Sequence, residues 1–99
     1  MFFMVTETWP STSSVELGKA SIESISRPLP EFMKRLGNYV VFGGDGVKAY
    51  ALYEAEDGKE REGYKEVVGR FAQFMSVEGF KCNVEIVLPI DEALPLIGL

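Results

Sequence analysis

Near the middle of the chain, two apolar runs rich in β-favouring residues, Asn38 to Phe42 and Val47 to Ala55, are separated only by Gly43-Gly44-Asp45-Gly46. So short a glycine- and aspartate-rich gap predicts an antiparallel hairpin, because the tight turn needs a residue that tolerates positive φ. The same four residues resemble a phosphate loop in composition. A phosphate loop feeds the N-terminus of a helix, however, and here a tyrosine-containing strand follows. With a hairpin fixed at the centre, the flanking patterns have few ways to close one sheet.

Phe2 to Thr8 is short, aromatic and β-favouring, and Trp9-Pro10 closes it. It reads as the first strand. Ser11 to Ser14 then supplies helix caps, and Ser13 with Glu16 has capping-box spacing. Val15, Gly18, Ile22 and Ile25 follow at i, i+3, i+7 and i+10, the expected buried stripe of a first helix. Pro28 and Pro30 end it, and Glu31 to Leu36 is expected to form one helical turn.

Lys59 to Glu78 carries the strongest helical pattern. Tyr64, Val67, Val68, Phe71 and Met75 share one face, with Phe74 widening it. Glu66 and Arg70 are spaced for an ion pair on the other face. Gly69 is expected to allow close packing on the sheet, and Gly79 to stop the helix. Phe80 to Leu88 alternates with a period of two: Phe80, Cys82, Val84, Ile86 and Leu88 against Lys81, Asn83, Glu85 and Val87. Pro89 to Leu99 is expected to form a short helix with an apolar end.

The resulting order predicts one α+β domain over residues 1–99, a ferredoxin-like β-α-β-β-α-β unit. Its four-stranded antiparallel sheet has two helices on one face. Lys48, Tyr50, Leu52 and Glu54 are expected on the uncovered face, because the small Ala49 and Ala51 suit the side where helices press close. For the first strand, Phe3, Val5 and Glu7 compete with Phe2, Met4 and Thr6. Either choice leaves apolar groups uncovered, which a second copy of the chain would cover most simply.

The element order, the Phe3-Met4-Val5 start, Trp9 at the end of the first strand and the final strand with its short tail resemble the dimeric α/β-barrel superfamily, closest to its small uncharacterised bacterial proteins. The resemblance spans almost the whole chain. It implies a homodimer whose two sheets face each other across a cavity. Members include cofactor-free monooxygenases, muconolactone isomerases and haem-binding proteins. Haem members and many monooxygenase-like members use a cavity histidine, and this chain has none.

The absence of histidine also excludes Ser-His-Asp and Cys-His catalysis and histidine-ligated metals. A net charge of −5 with scattered lysines and arginines argues against nucleic acid. The single cysteine, Cys82, forbids an internal disulfide and suits a reducing cytoplasm. It is expected to be an inert, apolar-packed thiol. No signal peptide or membrane span is recognisable, and neither a metal nor a cofactor is expected. The acidic run Glu54, Glu56, Asp57 and Glu60 lacks the glycine and ligand spacing of a calcium loop.

Two functional expectations follow. In the first, the chain is a homodimeric binding module holding a small apolar or aromatic molecule between its sheets. Trp9, Tyr39 and Tyr50 would then be ligand contacts. In the alternative, it is a cofactor-free isomerase or monooxygenase-like enzyme. Glu7 and Glu85, on neighbouring strands, would share one enclosed space, and crowding would raise the pKa of at least one.

Overall fold

A computed structural model describes residues 1–99. Its strands are β1 (Phe2–Trp9), β2 (Met33–Gly43), β3 (Gly46–Ala55) and β4 (Lys81–Val87). Its helices are α1 (Ser14–Ser26), α2 (Glu60–Ala72) and the short α3 (Ile90–Ala93), with 3-10 turns before α1 and after α2 and α3. The strands form one antiparallel sheet in the order β2-β3-β1-β4. This is the ferredoxin-like β-α-β-β-α-β arrangement, α+β, with α1 and α2 on one face. No helix is long and apolar enough to cross a membrane.

Register settles which residues share a face, because directly paired residues point the same way. Val5 pairs with Ala51 and Val84, so the helix side of β1 carries Phe3, Val5, Glu7 and Trp9. Met4 pairs with Leu52 and Glu85, which places Phe2, Met4, Thr6 and Thr8 on the uncovered face. Lys48, Tyr50, Leu52 and Glu54 lie there too, as the small alanines of β3 required.

The core lies between the sheet and α2. Phe3, Val5, Tyr53, Val67, Phe71, Phe74 and Phe80 are buried together. The rings Tyr53–Phe71, Phe71–Phe74 and Phe74–Phe80 meet edge-on at centroid distances of 6.1, 5.9 and 5.8 Å, the arrangement that aromatic quadrupoles favour. Gly63, not Gly69, is the close-approach glycine. A Cβ there would lie 2.6 Å from Ala55 Cβ, whereas one at Gly69 would meet nothing within 4 Å.

Several expectations give way here. β2 begins at Met33, so Glu31 to Leu36 is not a helical turn. Leu36 is instead the extra residue of a bulge between Arg35 and Gly37. The hairpin turns at Gly44-Asp45, and its positive φ falls at Gly46, where Trp9 O leaves no room for a Cβ. Ser13 makes no capping bond; its Oγ donates to Glu78 O at 2.7 Å.

The largest difference concerns α1. Val15 and Ile22 are each 72% exposed and Ile25 is also exposed, so the apolar stripe faces outward. The buried side consists of Leu17 and Ser24, with Ala20 and Ser21 half-buried. Hydrogen bonds hold this helix at both ends. Trp9 Nε1 donates to Ser14 Oγ at 3.1 Å. At the other end, the buried Arg70 donates to the carbonyls of Ser24 (3.1 Å), Arg27 (3.2 Å) and Pro28 (2.8 Å). Its Nε pairs with Glu66 at 2.9 Å. The C-terminal end of α1 and the two residues after Ser26 thus gain donors and a positive charge.

Candidate functional site

Because α1 turns small and polar side chains toward the sheet, it leaves a cleft of about 270 Å³ beneath it. Glu7 of β1 lies in this cleft, with Trp9 beside it. Ser21, Ser24 and Ile25 come from α1, Asn38 and Val40 from β2, and Phe71 and Phe74 from below. Each arrives there for a local reason. Period two puts Glu7 and Trp9 on the helix side of β1, and the bulge at Leu36 sets Asn38 and Val40 on that side of β2.

Glu7 is 6% exposed and makes neither a hydrogen bond nor an ion pair. Burial disfavours its charged form and pushes its carboxyl from 4.5 up to about 7. Cys82 faces it across the β1–β4 pair. Burial, and secondarily the Glu7 charge, pushes that thiol up to about 11. Cys82 is therefore a protonated, weakly nucleophilic thiol at neutral pH.

The two glutamates do not share a space. Glu85 pairs with Met4 and is exposed on the uncovered face, the opposite side of the sheet from Glu7. The strands are neighbours, as the pairing of the two glutamates needed, but the register puts them on opposite faces: Glu7 meets Cys82. Trp9, Tyr39 and Tyr50 are divided in the same way. Tyr39 and Tyr50 are direct partners on the uncovered face, where Tyr39 is 68% exposed and Lys48 Nζ lies 5.6 Å from the Tyr50 ring. Trp9 lines the cleft on the other side. Sequence reasoning missed Ser21, Ser24 and Asn38, whose polarity hid them among expected surface positions.

A larger cleft of about 540 Å³ lies at the far end of the sheet, among Met1, Phe2, Glu54, Asp57, Glu60, Asp91 and Glu92. Its carboxylates do not gather as a metal-ligating group. Glu60 instead accepts the Gly58 N–H at 3.0 Å, which holds its carboxyl below the usual range.

No protein-family model matches the chain, and no curated protein matches it. Among solved structures it is similar to a formyltetrahydrofolate deformylase from Pseudomonas putida KT2440. The TM-score is 0.51, with 10% identity over 88% of this chain and 29% of that one. It is also similar to the C-terminal domain of the MgtC protein from Mycobacterium tuberculosis, with a TM-score of 0.47 and 10% identity over 85% and 86% of the two chains. A DUF3240 family protein from Shewanella baltica OS155 gives a TM-score of 0.30 and 10% identity over 89% and 91%. The chain spans 29% of the length of the deformylase. At this identity the likeness to the deformylase, the one of the three above a TM-score of 0.5, is one of fold alone.

Proposed function

We propose that the chain is a homodimeric binding module whose uncovered sheet faces pair and hold a small apolar or aromatic molecule between them, as in a dimeric α/β barrel. The observation that carries this reading is the uncovered face itself. Phe2, Met4, Leu52, Tyr50, Tyr39 and Val41 run across three strands of it with no helix above them. An apolar sheet face of this extent is costly to leave in water and is a common basis for two-fold pairing. The test is solution mass by light scattering. Twice 11.0 kDa is expected for the unchanged chain, and Leu52→Glu at the centre of the face should halve it. A single-chain mass at the highest soluble concentration would sink the proposal.

A second reading rests on Glu7. A buried carboxyl titrating at about 7 has the properties of a general acid or base at neutral pH. In a cofactor-free isomerase or monooxygenase-like enzyme of this design, Glu7 alone would move the proton. Glu85 lies on the other face and would take no part. Turnover of a ring-activated substrate should then vanish in Glu7→Gln and persist in Glu85→Gln. Equal activity in both variants removes this reading.

A further inference from the structure

The cleft beneath α1 has a chemical asymmetry that its apolar walls do not explain. It holds one acidic group, Glu7, which is 94% buried by its 6% exposure and has no hydrogen-bond or ionic partner. No lysine or arginine lines the cleft. The only buried cation is Arg70, which donates to Glu66 and to the carbonyls of Ser24, Arg27 and Pro28. The Glu7 oxygens touch solvent in the cleft, but a carboxylate so little exposed is poorly hydrated and gains from a cation or a proton.

We propose that this cleft is a binding site for a small organic cation, a primary amine carried on an apolar or aromatic body. Its ammonium pairs with Glu7 and its body lies among Trp9, Val40, Phe71 and Phe74. This site is on the helix side of the sheet and does not depend on pairing of the uncovered faces.

Three features fit this ligand class. Ser21, Ser24 and Asn38 offer oxygen acceptors for the ammonium protons left over after Glu7 takes one. Trp9 contributes its ring, since its Nε1–H is already donated to Ser14 Oγ. Aromatic faces attract cations as well as apolar groups. The volume of about 270 Å³ sits just below the range of roughly 300–1,000 Å³ usual for ligand pockets, so the occupant is fragment-sized. A metal ion fits poorly, because no three metal-ligating side chains converge.

The groups facing Glu7 are few: Cys82 from β4, Ala49 from β3, Asn38 from β2, Ser21 and Ser24 from α1, and Phe71 from α2. Only Cys82 titrates, and it stays neutral to about 11. With burial holding the Glu7 proton up to about 7, an amine competes with that proton below this value and meets a ready carboxylate above it.

Trp9 is the only tryptophan, so its fluorescence reports on the cleft directly. The experiment titrates 2-phenylethylamine and, separately, its neutral analogue 2-phenylethanol into the full chain at about pH 8 and constant ionic strength. The amine should give a saturable signal and bind about tenfold tighter than the alcohol. In Glu7→Gln the two should bind alike, and in Glu85→Gln the preference should be unchanged. Equal binding of amine and alcohol by the unchanged chain overturns the proposal. So does no saturation by about 20 mM, the weak end for a fragment of this size. The amine-to-alcohol comparison needs no variant, so it decides the matter even if Glu7→Gln fails to fold.

Discussion

Replacing Glu7 with glutamine should flatten the dependence of stability on pH. The folded protein holds the Glu7 proton up to about 7, whereas the unfolded chain releases it near 4.5. The contribution of Glu7 to stability is therefore fully present below the unfolded value and is lost as pH rises through about 7. At roughly 1.36 kcal/mol per pH unit the full displacement is worth about 3 kcal/mol. About 2.5 kcal/mol of that falls between about pH 5 and pH 8. Glutamine keeps the shape and cannot ionise, so its stability curve carries only the background from the other acidic residues. Urea unfolding at fixed protein concentration, followed by Trp9 fluorescence across this range, makes the comparison. With a urea slope of about 1–3 kcal/mol per M, the unchanged chain should lose about 1–2 M of midpoint relative to the variant. Parallel curves would refute the reasoning. They would mean that the Glu7 carboxylate is solvated or paired in the folded protein.

Other substitutions test how the helices are fastened. Gly63→Ala should cost about 1–3 kcal/mol because Ala55 and Phe3 leave no space for a methyl, while Gly69→Ala should stabilise by up to about 1 kcal/mol, both read from urea midpoints. Arg70→Ala should cost about 3 kcal/mol in the same assay, since it takes the side-chain donor from the Arg27 and Pro28 carbonyls, leaves Ser24 O only the Arg27 N–H, and unpairs Glu66. The loss should be accompanied by faster amide exchange in the last turn of α1. Ile22→Lys, on the outward stripe of α1, should change stability by no more than about 0.5 kcal/mol, and a loss comparable to a core substitution would place that stripe in an interface.

The strands were legible because each obeys a short-range rule. The hairpin followed from Gly43 to Gly46, and the alanines at 49 and 51 identified the helix side of β3. The uncovered face of β4 followed from strict alternation. The first strand was different: both of its faces are apolar, so period two could not choose between them, and only pairing with β3 and β4 decides. That choice carried Glu7 away from Glu85. The cleft was invisible for a related reason. Its position depends on α1 burying Leu17 and Ser24 instead of Val15, Ile22 and Ile25. A hydrophobic pattern cannot see this, because the helix is held by hydrogen bonds, from the nearby Trp9 at one end and at the other from Arg70, 46 positions from Ser24.

The sheet order also bears on how the chain is made. β1 lies between β3 and β4, so its two neighbours are both synthesised after it. At about 5–20 residues per second, Phe2–Trp9 waits roughly 4–15 s for Lys81–Val87 to exist. Until Gly46–Ala55 is made, its first half, Phe2 to Val5, is an apolar β-forming segment with two open edges, and one edge stays open until Lys81–Val87 follows; such a segment associates with copies on neighbouring ribosomes. Thr6, Glu7 and Thr8 interrupt it. On a nascent chain Glu7 is solvated and fully ionised at neutral pH, and like charges on two such strands repel. The residue that weakens the finished fold above about pH 7 is, during synthesis, a gatekeeper of the strand that waits longest for its partners.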